Sequence, residues 1–135
     1  QEIILDHGQT PRNFGECENH NKSAKGHNPL CGDTVKVTLL VDENNFIKDI
    51  KFSGEGCAIS IASASLMTEK LKSKSLSEAN IIFDDFTNLI KGQTNNLKMI
   101  TEDDSLYALK GVTAFPMRVK CATMSWHAYH SAVND

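Results

Sequence analysis

Thr34-Val35-Lys36-Val37-Thr38-Leu39-Leu40-Val41-Asp42-Glu43-Asn44-Asn45-Phe46-Ile47-Lys48-Asp49-Ile50-Lys51-Phe52-Ser53 reads as two strands joined by a turn. Val35, Val37, Leu39 and Val41 alternate with Lys36, Thr38 and Leu40, the two-residue period of a strand with one buried face. Asp42-Glu43-Asn44-Asn45 supplies turn chemistry, because Asp and Asn side chains bond their own backbone and tolerate left-handed geometry. Phe46, Ile50 and Phe52 then predict the inward face of a second strand. Residues 34–53 are therefore expected to form an antiparallel β-hairpin.

Working outward, Gly54 and Gly56 are expected to break the second strand, and Ala58 to Lys72 follows as a helix with Ala58, Ile59, Ala62 and Leu66 on one stripe. Its small residues, among them Ser60, Ser63, Ala64 and Ser65, predict close packing. A second helix is expected from Ser77 as N-cap, with Ala79, Ile82, Phe83, Phe86 and Ile90 facing inward and Gly92 as its stop. After a polar connection over 93–102, Asp104 is placed to cap a short helix running through Leu109 and closed by Gly111. Pro116 fits the first turn of a last helix, in which Val119, Ala122, Trp126, Tyr129 and Val133 recur at three- and four-residue steps.

Before the hairpin, a helical pattern is already under way at Ile3, Ile4 and Leu5, so one or a few residues are expected ahead of Gln1, and a short edge strand fits Asn21 to Lys25. Strands come early and helices follow, without βαβ alternation. The expected fold class is α+β, a small antiparallel sheet of about three strands packed against helices, in one domain spanning 1–135.

The 14 basic and 17 acidic side chains leave a formal charge of −3, and no block of like charge suggests a nucleic-acid arm. No apolar run approaches the roughly 18 residues of a membrane span, and the first residues lack a signal-peptide pattern. A cytoplasmic protein with neither nucleic acid nor membrane as partner is expected. In such a reducing compartment, spaced cysteines bind metal or react rather than pair.

The hairpin also places chemistry. Cys31 and Asp33 sit just before its first strand and Cys57 just after its second, so three potential ligands meet at its open end. Cys31 and Asp33, two residues apart, share a side of an extended segment. Cys57 leads into a helix, where unpaired amides and the helix dipole favour a thiolate. Cys121, about one turn into the last helix with Arg118 and Ser125 on the same face, closes the group if that helix packs across the hairpin's end. Three thiolates and one carboxylate suit tetrahedral zinc, and a hard oxygen among soft sulfurs suggests exchangeable coordination. Each residue alone would be read as a buried cysteine or a turn aspartate; the joint placement favours metal. Cys17 is expected to be an incidental exposed thiol, and His127 with His130 a solvated pair rather than ligands.

The segments Thr10-Pro11-Arg12-Asn13-Phe14-Gly15, Asn28-Pro29-Leu30-Cys31-Gly32-Asp33, Gly54-Glu55-Gly56-Cys57-Ala58-Ile59-Ser60 and Arg118-Val119-Lys120-Cys121-Ala122 together resemble the IscU/NifU-like iron–sulfur cluster assembly proteins. Lys120, where scaffold-type IscU proteins carry histidine, and the long interval from Cys57 to Cys121, with the helix from Ser77 as extra material, resemble the SufU-like branch. The resemblance implies the α+β fold and a zinc site of Cys31, Asp33, Cys57 and Cys121. It also implies a pyridoxal-phosphate cysteine desulfurase as partner, with downstream assembly or acceptor proteins beyond it. Cys31 would then be the catalytic sulfur acceptor of a zinc-dependent sulfurtransferase. The alternatives are a scaffold that builds a transient [2Fe–2S] cluster from iron on the same four residues, and a purely structural zinc module. Arg118 could position a carboxylate or favour a thiolate, or simply form a surface ion pair.

Overall fold

The computed structural model describes residues 2–28 and 32–134. Its elements run α1 (Glu2–Gln9), β1 (Lys22–Asn28), β2 (Asp33–Val41), β3 (Ile47–Glu55), α2 (Ala58–Leu71), α3 (Leu76–Ile90), a 3₁₀ helix (Ser105–Ala114) and α4 (Pro116–Asn134). The three strands form one antiparallel sheet in the order β1-β2-β3. The expected α+β class and strand number therefore hold.

The hairpin forms as its alternation requires, with Val35, Val37, Leu39 and Val41 buried on one face. Its second strand departs from strict alternation. Leu40 faces Asp49 whereas Val41 faces Ile47, so Lys48 is an extra residue bulged out of the ladder. The bulge turns Ile47 inward, together with Ile50 and Phe52, and leaves Phe46 45% exposed rather than on the inner face. β3 also continues through Gly54 to Glu55 instead of breaking there.

β1 extends the expected edge strand as far as Asn28. Just ahead of it, the Asn21 side chain copies a backbone pairing, its Nδ2 donating to the Val41 carbonyl (2.7 Å) and its Oδ1 accepting from the Val41 amide (2.9 Å). The two sheet edges are treated differently. On β3, the Gly15 amide donates to the Phe52 carbonyl and the Phe52 amide to that of Asn13, while residues 73 and 74 bond Ile47 further along. Among the described residues, no strand pairs with the outer edge of β1.

α2 packs against α1, α4 and β3, and every residue from Ala62 to Thr68 is buried, so its burial goes all round rather than along one stripe. Small side chains make this possible, with their hydroxyls satisfied locally. Ser63 Oγ donates to the Ala122 carbonyl and accepts from Trp126 Nε1, and Ser65 Oγ lies 2.7 Å from His7 Nδ1. The Trp126 ring stacks on Phe86, centroids 4.1 Å apart at 9°.

α3 starts two residues earlier than expected. Ser75, not Ser77, is the N-cap, in a capping box where Glu78 N donates to Ser75 Oγ and Ser75 N to the Glu78 carboxylate. Asp104 caps as expected, but the helix it opens is 3₁₀ and runs past Gly111 to Ala114. The connection between these helices is held by Asp85, buried on α3, whose carboxylate accepts from the amides of Lys98, Met99 and Ile100. Asp85→Asn would turn an amide donor toward these donors, and is expected to cost about 2 kcal/mol in chemical denaturation.

His7 fixes α1 on α2. Its ring is 6% exposed, with Nε2 3.6 Å from Glu69. Burial, helped by Arg12 and opposed by Glu69 and Asp6, holds its pKa below the ordinary 6.5. The unfolded chain then takes up the proton first as pH falls. The stabilisation from the neutral ring is complete above pH 6.5 and declines below it, levelling off under the depressed native value. Urea midpoints measured between pH 5 and 7.5 should fall on acidification, and the slope should flatten in His7→Gln.

Candidate metal centre

Asp33, Cys57 and Cys121 come from three elements and meet at the hairpin's open end. Asp33 is the first residue of β2, 3% exposed. Thr34 pairs with Glu55, so Asp33 stands beside Gly56 as the chain leaves β3. There a Cβ at position 56 would lie 3.0 Å from the Asp33 carboxyl carbon and 3.0 Å from Ser60 Cβ. Glycine at 56 is what lets the carboxylate sit against the start of α2.

Cys57 is the N-cap of α2, in extended conformation with no side-chain capping bond, and its carbonyl accepts from the Ile61 amide. The thiol is exposed and donates instead to the hydroxyl of Ser60 in the first turn. Cys121 is buried in the second turn of α4. α4 lies across β1, β2 and α2, which is the packing that its place in the group required. The ligand atoms of Asp33, Cys57 and Cys121 all lie within 4.8 Å of one another.

Ser60 ties the three together. Its hydroxyl donates to Asp33 Oδ2 at 2.6 Å, lies 3.4 Å from the Cys121 carbonyl, and is 3.8 Å from Cys57 Sγ. The sequence marks Ser60 as a small helix residue and Gly56 as a strand breaker, both within a family-matching segment, and assigns neither a part in the metal site. The available signal was position: the third residue after an N-cap turns its side chain back over the helix start.

Zinc with sulfur ligands at about 2.3 Å needs ligand atoms about 3.8 Å apart in a tetrahedron. Three donors within 4.8 Å, two soft and one hard, fit such an ion after small side-chain adjustments. Cys31, the fourth expected ligand, lies outside the described residues.

The other candidates fall elsewhere. Cys17, expected to be exposed, is 2% exposed; its amide donates to Thr38 Oγ1 and its thiol to the Thr38 carbonyl. Burial pushes that thiol up, away from reactivity. His127 and His130 are exposed and pack their rings on Phe83, at 6.1 and 4.6 Å. The Arg118 guanidinium lies over the Phe115 ring at 4.9 Å and forms no ion pair among the described residues. No helix is long and apolar enough to cross a membrane.

Residues 1–122 match the family model described as NifU-like N terminal domain. The chain is 38% identical over 133 residues to the zinc-dependent sulfurtransferase SufU of Bacillus subtilis, covering 98% of this chain and 88% of that one. It is 37% identical over 131 residues to the iron–sulfur cluster assembly scaffold protein IscU of Streptococcus pyogenes, covering 97% and 80%. In structure it resembles an iron–sulfur cluster assembly scaffold protein for the SUF system from Fervidobacterium islandicum, with a TM-score of 0.86, 33% identity and coverage of 98% and 95%. The chain therefore belongs to the NifU-like N-terminal domain family.

Proposed function

We propose that this protein serves iron–sulfur cluster assembly as a zinc-dependent sulfurtransferase, working in the cytoplasm as one domain. Its sulfur comes from a pyridoxal-phosphate cysteine desulfurase and goes to downstream assembly proteins. The observation that carries the proposal is the convergence of Asp33, Cys57 and Cys121 within 4.8 Å at the end of the hairpin, two residues from Cys31 in sequence. Lys120 ahead of Cys121, and α3 within the long interval, favour this reading over a scaffold.

Asp33, Cys57 and Cys121, with Cys31, would hold zinc, which when bound supplies positive charge that keeps thiols deprotonated. Ser60 donates to one oxygen of Asp33, fixing the carboxylate at the site. The Cys31 thiolate attacks the outer sulfur of the partner's persulfide; a new S–S bond forms, the old one breaks, and the partner's cysteine leaves as a thiolate. The persulfide then rests on Cys31 with no net oxidation.

The test follows sulfur from labelled cysteine through a desulfurase. Wild type should become labelled and stimulate turnover, whereas Cys31→Ala should do neither; labelling of Cys31→Ala at the wild-type rate would refute the acceptor. Ser60→Ala should weaken zinc binding about tenfold, by chelator competition, with little change in fold. A second reading is favoured by the similarity to the Streptococcus pyogenes scaffold: iron and sulfide are assembled as cargo on the same four residues. Anaerobic reconstitution giving a stoichiometric, transferable [2Fe–2S] cluster would select it.

A further inference from the structure

The open edge of β1 forms one wall of a cleft of about 530 Å³, and α4 forms the other. Lys120, Thr123, His127 and Ser131 line it at three- and four-residue steps, one face of α4, while Lys25, Gly26 and His27 bring the strand. At the floor the strand touches the helix, since a Cβ on Gly26 would lie 3.0 Å from Met124 Cγ. The arrangement, a groove between an edge strand and a helix, is one in which an extended peptide adds as a further strand.

The chemistry of the walls is one-sided. Lys120, His127, Thr123 and Ser131 rise from α4, and Lys25 and His27 stand on the outer face of β1 opposite Lys36 and Thr34, with no Asp or Glu among the lining residues, in a chain whose net charge is −3. Neither Lys25 nor Lys120 has an ion-pair partner among the described residues. β3, by contrast, has its outer edge bonded by residues 13–15 and 73–74, so among the described residues β1 is the strand with an open edge. A second copy of this chain is a poor occupant: antiparallel self-pairing centred on β1 would set Lys25 against Lys25, and like charges directly opposite destabilise a ladder.

We propose that this cleft docks an extended acidic segment of a partner protein, paired by main-chain hydrogen bonds to the outer edge of β1, with carboxylates of successive residues directed alternately toward Lys25 on the outer face and Lys120 on α4. β1 ends at Asn28, and Lys120 adjoins Cys121, so the segment leads to the metal centre. The inference does not depend on which metal or cargo that centre carries.

The test uses the full chain and a fluorescein-labelled, end-capped hexaglutamate peptide, whose carboxylates reach both faces of an added strand, read by anisotropy at low salt and by amide hydrogen exchange over residues 22–28. Saturable binding is expected, with slowed exchange in β1. Affinity should drop about tenfold in the Lys25→Glu/Lys120→Glu variant, whose exposed substitutions leave the far-ultraviolet spectrum unchanged. N-methylating alternate peptide bonds should weaken binding at least as much, because it removes main-chain donors. Absence of saturable binding, equal binding of the N-methylated peptide, or displacement by free glutamate at the peptide's own concentration would each overturn strand docking.

Discussion

Cys121→Ser is expected to lower zinc affinity more than about a hundredfold, because even the outer partners of a ligand are worth ten- to a hundredfold and here a thiolate itself is lost. Cys121 is 3% exposed in the second turn of α4 and is the only ligand candidate that helix brings to the end of the hairpin. Serine replaces sulfur by oxygen at nearly the same volume, so the buried face of α4 keeps its packing and the metal-free fold should survive. Competition against a chromophoric chelator measures the affinity, and circular dichroism of the metal-free protein measures the fold. An affinity within threefold of wild type would remove Cys121 from the ligand set. A large loss of metal-free structure would instead mark it as a packing residue. The two roles thus give different results in the same pair of measurements.

The hairpin was legible because Val35, Val37, Leu39 and Val41 keep the two-residue period, and with it came the meeting of Asp33 and Cys57. Cys121 entered through the packing of α4 across the sheet, which periodicity does not contain; the structure supplies it. The misplacements have local causes. The Lys48 bulge depends on how β3 fits β2 and on the bonds that residues 73 and 74 make to Ile47, so it inverts Phe46 and Ile47 without a mark in the sequence. Ser75 as N-cap did carry a mark, since Glu78 stands three residues on whereas Ser77 has Asn80 there. Cys17 sits in a polar stretch, and only its bonds to Thr38 on β2 reveal that the stretch lies across the sheet. The serines of α2 read as tolerance for close neighbours. Their hydroxyls in fact reach partners on α1, α4 and β2: Ser65 bonds His7, Ser63 bonds the Ala122 carbonyl, and Ser60 bonds Asp33. Burial all round a helix of small polar residues leaves no stripe for a periodicity search to find.

Gly54→Ala should be the most damaging single substitution in the sheet, with an expected loss of about 4 kcal/mol or more. Gly54 has φ +141°, a region L side chains rarely adopt, and an added Cβ would lie 2.1 Å from the Thr34 carbonyl oxygen and 2.9 Å from Val35 Cα. Those are backbone atoms of the paired strand, so no rotamer change relieves the overlap; β2 and β3 must part at their open end. That end carries Asp33 one residue before Thr34 and Cys57 three residues after Gly54, so the same displacement pulls the metal ligands apart. A lowered urea midpoint and weakened zinc binding should therefore appear together. Gly111→Ala provides the control, because a Cβ there meets nothing within 4 Å and its φ is unremarkable; both quantities should stay near wild type. If Gly54→Ala lost stability while zinc affinity remained within threefold, the ligands would be held by α2 and α4 rather than by the hairpin. Loss of both, against an unchanged Gly111→Ala, places the cause in the close approach of Gly54 to the Thr34–Val35 backbone.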